Sequence, residues 1–274
     1  MARARRRSGS RRGRNWTAPF VFYQARSELL SREAAGCSSR VVAGWRSRGR
    51  QRTSLGLGSL IGGGVVDLIR VLGAIAMAYL LGSFPAGYLL GRLWGVDVLS
   101  WGSGRTGGTN VLRSAGVLPA LITGALDVGK GALAVWLAGV MAPDSYEAVT
   151  QVLAGAAVIL GHNYSIFLGL RGGAGVGTSL GALSVIYWPA ALALLVLLLA
   201  VIAATRYASV GSLFVATMMP IFLFALAVAG VLAPAYVAYG LLAWIIIIYS
   251  HWPNIRRLIS GTERRIGDKG KSQS

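Results

Sequence analysis

Residues 172–205 read GGAGVGTSLGALSVIYWPAALALLVLLLAVIAAT, a run without a single formal charge. A helix needs about 20 residues to cross about 30 Å of hydrocarbon, so this run is too long for one ordinary span. Tyr187-Trp188-Pro189 stands in its middle, two interface-seeking aromatics and then a helix breaker. The spacing predicts two short helices, 175–187 and 189–204. The next charge-free run, 207–255, is interrupted by Gly230 to Pro234 and predicts helices over 209–229 and 234–250. Upstream lie 71–91, between Arg70 and Arg92, 114–143, charged only at Asp127 and Lys130 within its length, and 148–170. The reading is an all-α integral membrane protein with about seven transmembrane helices.

Composition agrees. Of 274 residues, 54% are hydrophobic and 13% charged, about half the charge of a soluble domain (~25%). Lys and Arg placement orients the spans. With the first helix starting outside, Arg92, Arg105, Arg113, Arg171, Arg206 and Arg256 all fall on the inner side. The segments near 141–147, 188 and 230–234 carry no Lys or Arg. Ser83, Gly87 and Gly91 repeat every four residues, as do Gly177 and Gly181, a spacing that lets helix backbones approach closely in lipid.

Most of the net charge of +18 sits at the start: residues 1–64 hold 14 Arg, no Lys and two acids. The expectation is a basic, disordered extension over 1–64, a start codon assigned too far upstream, with Val65 or Val66 as the alternative start. A transmembrane domain over 65–266 and a basic cytoplasmic tail over 267–274 follow. An RNA- or lipid-binding arm is the other reading of the Arg-rich segment, and no nucleic-acid partner is expected. Cys37 is the only cysteine, and His162 and His251 are the only histidines. Neither a disulfide, a metal site nor an organic cofactor is expected.

The polar islands gather on the inner side. Gly102-Ser103-Gly104-Arg105-Thr106-Gly107-Gly108-Thr109-Asn110, then Arg113, matches a dinucleotide pattern, but no strand precedes it. A Gly-rich turn leading into a helix N-terminus still offers backbone N–H groups to phosphate, and Arg113 adds a bidentate donor. The alternative is a solvated loop. Arg171-Gly172-Gly173-Ala174-Gly175-Val176-Gly177-Thr178 reads as a second anion nest, or as a tight interhelical turn. Asp127 and Lys130, three apart within a span, are a structural ion pair or a functional one. Arg206 to Ser212 and His251-Trp252-Pro253-Asn254-Ile255-Arg256-Arg257, with Glu263, complete the set. Two anion nests at a membrane surface imply phosphorylated substrates, one of them a lipid.

The segments YLLGSFPAGYLLGRLWGVDVLSWGSGRTGGTNVLRSAG, LDVGKGALAVW, LGHNYSIFLGLRGGAGVGTSLGAL, RYASVGS and HWPNIRRLISGTE resemble, in order and spacing, the bacterial acyl-phosphate:glycerol-3-phosphate acyltransferases of the PlsY type. The likeness covers roughly residues 68–266. It implies seven transmembrane helices, a cytoplasmic active site in the bacterial inner membrane, and transfer of a fatty acyl chain from acyl phosphate to the sn-1 hydroxyl of glycerol-3-phosphate. The product would be lysophosphatidic acid, for phospholipid synthesis. The soluble enzyme that makes acyl phosphate is an implied partner. The resemblance implies catalytic roles for His251, Asn254, Ser103 and Arg113. It implies substrate binding by Gly102, Gly104, Thr109, Asn110, Arg171, Gly172, Gly173, Gly175, Gly177, Thr178 and Ser212. Asp127, Lys130 and Glu263 are read as structural.

Several positions depart from the family pattern. GGAGVGT carries Ala174 where the family has a phosphate-binding lysine, the loss of one charge-assisted contact worth roughly 1.5–3 kcal/mol. Arg105 stands for an Asn, Ser165 for a Pro, Arg171 for a Lys and Ser250 for a common Arg. Arg105 and Arg171 are the candidates to compensate. Rival readings are a homologue that binds acyl phosphate or lipid without catalysis, and a transporter of a phosphorylated solute. The transporter would place polar groups at the midplane and on both sides.

Overall fold

The computed structural model describes residues 57–267, and the Arg-rich reading of the start falls largely outside them. The chain divides into two units, Met1–Ile61 and Gly62–Ser274; the description that follows is of the second. The described residues are helical: α1 (Leu57–Ser83), α2 (Ala86–Leu93), α3 (Gly108–Ala115), α4 (Val117–Met141), α5 (Glu147–Asn163), α6 (Val176–Thr205), α7 (Ala208–Val228), α8 (Ala235–Ser250) and α9 (Trp252–Ile259). α1 begins upstream of the boundary at 65 drawn from the sequence.

Four segments are long and apolar enough to cross a membrane: Gly64–Leu93, Val117–Met141, Val176–Thr205 and Ala208–Val228. Ala235–Ser250 with Trp252–Ile259, bent by 59°, makes a fifth if the pair crosses as one. Each of the seven expected segments carries helix, with two differences. The first segment does not run unbroken to Gly91, because α1 ends at Ser83 and Phe84-Pro85 separates it from α2. The 176–205 helix is continuous by hydrogen bonding but kinked at Tyr187, whose backbone is extended (φ −161°, ψ 94°). Pro189 lacks the N–H that would bond back across this point, and its ring crowds the preceding turn.

Packing is by small residues. Ala74, Ala78, Ala134, Ala138, Ala154 and Ala182 are fully buried, whereas Leu192, Val196, Leu199, Ile221 and Phe224 are more than half exposed. That inversion suits a bundle whose outer face meets lipid tails. α4 and α6 form the tightest pair: a Cβ on Gly181 would overlap the Val128 carbonyl, and one on Gly131 would overlap the Thr178 carbonyl. Gly181→Ala should therefore push the helices apart at a cost of about 1–3 kcal/mol. A lowered melting temperature of the purified protein, with Gly124→Ala unchanged because open space faces that glycine, is the measurement.

The connecting segments gather at one end of the bundle. Thr106 N–H donates to the Gly172 carbonyl (3.2 Å) and Ile266 N–H to the Arg206 carbonyl (2.7 Å). Arg113 Nη2 donates to the Arg264 carbonyl (3.1 Å), and Arg105 Nη2 to the Ser250 carbonyl. At the other end Arg70 Nε donates to the Met141 carbonyl (2.8 Å), capping the α4 C-terminus with a cation.

Candidate active site

Asn110 organises the first loop. Its Nδ2 donates to the carbonyls of Val98 (2.9 Å), Trp101 (3.1 Å) and Arg105 (2.9 Å), and its Oδ1 accepts the Ser103 N–H (3.0 Å). Both amide hydrogens are spent on backbone carbonyls inside the protein, so Asn110 shapes the loop. Gly102 (φ 56°) leaves room for that arrangement, since a side chain there would collide with the Asn110 amide. Gly102 is not among the residues that line the cavity described next.

The loop closes over a cavity of about 250 Å³. Ser103, Thr109, Asn110, Arg113, Gly175, Gly177, Ser212, His251, Asn254 and Glu263, all singled out in the sequence, line it together. Four of the lining side chains are arginines: Arg105, Arg113, Arg257 and Arg264. The two lining carboxylates are already engaged. Glu263 accepts from Asn254 Nδ2 (2.8 Å) and Arg257 Nε (2.7 Å). Burial works to raise the Glu263 carboxyl, but the hydrogen bonds from Asn254 and Arg257 and the Arg257 charge outweigh it and hold it low. Asp127 faces Lys130 Nζ (2.9 Å) and His162 Nδ1 (3.3 Å), all three nearly fully buried. The cavity is thus cationic at its wall, which suits phosphate.

His251 follows the last residue of α8 and is buried (4% exposed). Its Nδ1 lies 2.8 Å from the Ile247 carbonyl. A carbonyl only accepts, so Nδ1 carries the hydrogen and the neutral ring keeps its lone pair on Nε2. Burial, reinforced by the Arg105 charge and opposed by the Ile247 carbonyl and Glu263, pushes the imidazole pKa down to about 4. Neutral His251 is therefore a proton acceptor at physiological pH. Asn254 shares the cavity and leaves its Oδ1 buried without a hydrogen-bond partner, an acceptor suited to a hydroxyl.

The second glycine run is used differently from the expected single nest. Gly173 N–H donates to the His162 carbonyl (2.9 Å) and the Gly172 carbonyl accepts from Thr106, so these two glycines dock loops onto one another. A Cβ on Gly173 would overlap the His162 ring. Gly175, with φ 84° at the start of α6, and Gly177 are the members that reach the 250 Å³ cavity. Thr178, one position on, is rotated about 100° around the helix; its side chain is fully buried and lines neither cavity. Gly104, Arg171, Gly172 and Gly173 line a second cavity of about 420 Å³, with Arg105 shared between the two.

Sequence reasoning placed Arg257 in the same polar island as His251, Asn254 and Glu263 but gave it no role, and it missed Arg264 as a cavity residue and His162 as the third member of the Asp127 cluster. Arg257 was legible as one of a basic pair, but its turn toward Glu263 depends on the chain reversal after Ile259. Two of the expected departures meet: Arg105 donates to the carbonyl of Ser250. Ala174 lines the same cavity as Arg105.

The profile of the glycerol-3-phosphate acyltransferase family matches residues 72–261. A glycerol-3-phosphate acyltransferase from Synechococcus sp. is 46% identical over 206 residues, covering 75% of this chain and 100% of the relative. One from Carboxydothermus hydrogenoformans is 38% identical over 197 residues, covering 72% and 96%. The crystal structure of PlsY, an integral membrane glycerol 3-phosphate acyltransferase, in its glycerol 3-phosphate form superposes with a TM-score of 0.65 at 34% identity, covering 71% of this chain and 94% of that one. The lysophosphatidic acid form of the same enzyme gives 0.63 at 33% identity and the same coverage. With its cationic cavity, its neutral buried histidine and these relatives, the chain belongs to the glycerol-3-phosphate acyltransferase family.

Proposed function

We propose that this protein transfers an acyl group from acyl phosphate to the sn-1 hydroxyl of glycerol-3-phosphate at the cytoplasmic face of a bacterial inner membrane. The observation that carries it is a single cavity lined by four arginines and by a histidine whose free nitrogen is a base. Acyl phosphate is a mixed anhydride, so little covalent activation is needed. Charge stabilisation and alignment of two anionic reactants supply most of the rate. Arg105, Arg113 and Arg264 supply positive charge at the cavity wall for the two phosphates, with Arg105 as the cation that Ala174 lacks. Ser103 and Ser212 offer hydroxyls beside them.

The neutral His251 Nε2 takes the proton of the attacking hydroxyl, and the Asn254 Oδ1 accepts from the glycerol backbone. Glu263 holds the Asn254 amide and Arg257 in place and does not itself react. The gathering of the polar islands at one end of the bundle favours this reading over a transporter, whose site would sit between the two ends.

The test is direct. The purified protein with palmitoyl phosphate and labelled glycerol-3-phosphate should yield labelled lysophosphatidic acid. Palmitoyl coenzyme A should not replace the acyl phosphate. Binding of both reactants without product would leave a non-catalytic relative.

A further inference from the structure

His251 is tied to the end of its own helix. Its Nδ1 meets the Ile247 carbonyl (2.8 Å), and its N–H donates to the carbonyls of Ile247 (2.9 Å) and Ile248 (3.1 Å). Wherever the end of α8 sits, the ring sits with it. None of these contacts relates the ring to the glycine turn that opens α6. Asn163, the last residue of α5, spans that gap. It is 5% exposed, and its Nδ2 donates to Ser250 Oγ (2.7 Å), the residue before His251. Its Oδ1 packs on Gly175: a Cβ there would lie 2.9 Å from that oxygen. Gly175 precedes the first residue of α6 and lines the reaction cavity. One amide therefore touches the start of α6 with one atom and the end of α8 with the other.

Asn is a short side chain with a planar, rigid amide. With both ends of that amide engaged, the separation between Gly175 and Ser250 is held to the tolerance of one hydrogen bond. We propose that Asn163 is a positioning residue: through Ser250 it sets the distance between His251 and the Gly175–Gly177 edge of the reaction cavity. The role rests on the acyl transfer proposed above. Neither Asn163 nor Ser250 is among the residues that line that cavity, so the brace acts through its neighbours. Misplacing a reacting group by about 1 Å can cost about 10²-fold in rate, and loosening one bond in the support costs less than that.

The test is a double-variant cycle read on lysophosphatidic acid formation. Ser250→Ala, at a half-buried side chain, should lower turnover roughly tenfold, with both KM values within about twofold of the wild type. Its melting temperature should stay within about 4 °C, the shift that one hydrogen bond sets in a chain of this size. Ser250→Thr keeps the hydroxyl and should keep most of the turnover. Asn163→Ala should fall about as far as Ser250→Ala, and the double variant no further than the worse single, because half a brace holds nothing. Unchanged turnover in Ser250→Ala would overturn the proposal. So would losses that multiply in the double variant, or a fall in Ser250→Thr as deep as in Ser250→Ala. A rise in KM that accounts for the loss would make the pair a binding group and overturn it equally.

Hydrogen exchange of the full chain in detergent supplies a readout independent of the reaction. Ser250→Ala should speed exchange across residues 172–179 about three- to tenfold, the factor set by one neutral hydrogen bond, and Ser250→Thr should not. Unaltered exchange there would sever Ser250 from the glycine turn and remove the brace, even in an enzyme that makes lysophosphatidic acid normally. A wild type that makes none, with the exchange pattern as expected, would remove the acyl-transfer reading and leave the brace, so the two readings fail separately.

Discussion

His251→Ala should lower the turnover for lysophosphatidic acid about 10²–10⁴-fold, the usual range for a positioned general base, with a much smaller change in the KM for acyl phosphate. The reason is the asymmetry of the ring. Nδ1 is tied to the Ile247 carbonyl at 2.8 Å, which fixes both tautomer and orientation. Nothing at position 251 then contributes to the phosphate charge, which the arginines carry. A loss confined to KM would show that the ring binds rather than reacts. The pH profile gives a second readout. The folded-state pKa is pushed below the ordinary 6.5 to about 4. The ring therefore stays neutral as pH falls from 7.5 to 5.5, and turnover at saturation should show no histidine titration in that window. An inflection near 6.5 that vanishes in His251→Ala would mean that the ring is solvated in the working enzyme.

Much of this was legible along the chain because lipid imposes a simple code. Charge-free runs mark helices, and Tyr187 before Trp188-Pro189 marks a kink that the structure places at Tyr187. Pro85 did not stand out. The period of Ser83, Gly87 and Gly91 reads as one continuous face, although the chain breaks at Phe84-Pro85 so that the Phe84 carbonyl can meet Lys130 (3.0 Å). Spacing shows which residues share a face of one helix but not which helices meet. Asp127 and Lys130 declare themselves at three residues apart. His162, from another helix, does not.

The glycine runs illustrate the same limit at finer scale. GGAGVG reads as one nest, yet Gly172 and Gly173 are spent on Thr106 and His162, and only the later glycines face the reaction cavity. Which way each N–H points depends on backbone torsions set by the packing of a distant loop. Arg171 was drawn into the nest by adjacency, and the turn carries it to the second cavity.

Lys130→Met should be the most damaging single change away from the reaction cavity, at about 3–5 kcal/mol of stability. Asp127, Lys130 and His162 are 5%, 8% and 6% exposed. Lys130 Nζ reaches Asp127 Oδ1 at 2.9 Å and the Phe84 carbonyl at 3.0 Å, so one ammonium joins α4 to the break after α1. Removing it leaves the Asp127 carboxylate with His162 alone at 3.3 Å and deprives a helix-end carbonyl of its donor. A buried ionised group without its partner costs far more than the pair ever contributed, because desolvation has already been incurred. The double variant Asp127→Asn/Lys130→Met removes the stranded charge and should recover most of the loss. Thermal unfolding of the purified protein reads both. If Lys130→Met melts within a degree or two of the wild type while abolishing lysophosphatidic acid formation, the lysine acts on substrate and not on the joint between helices.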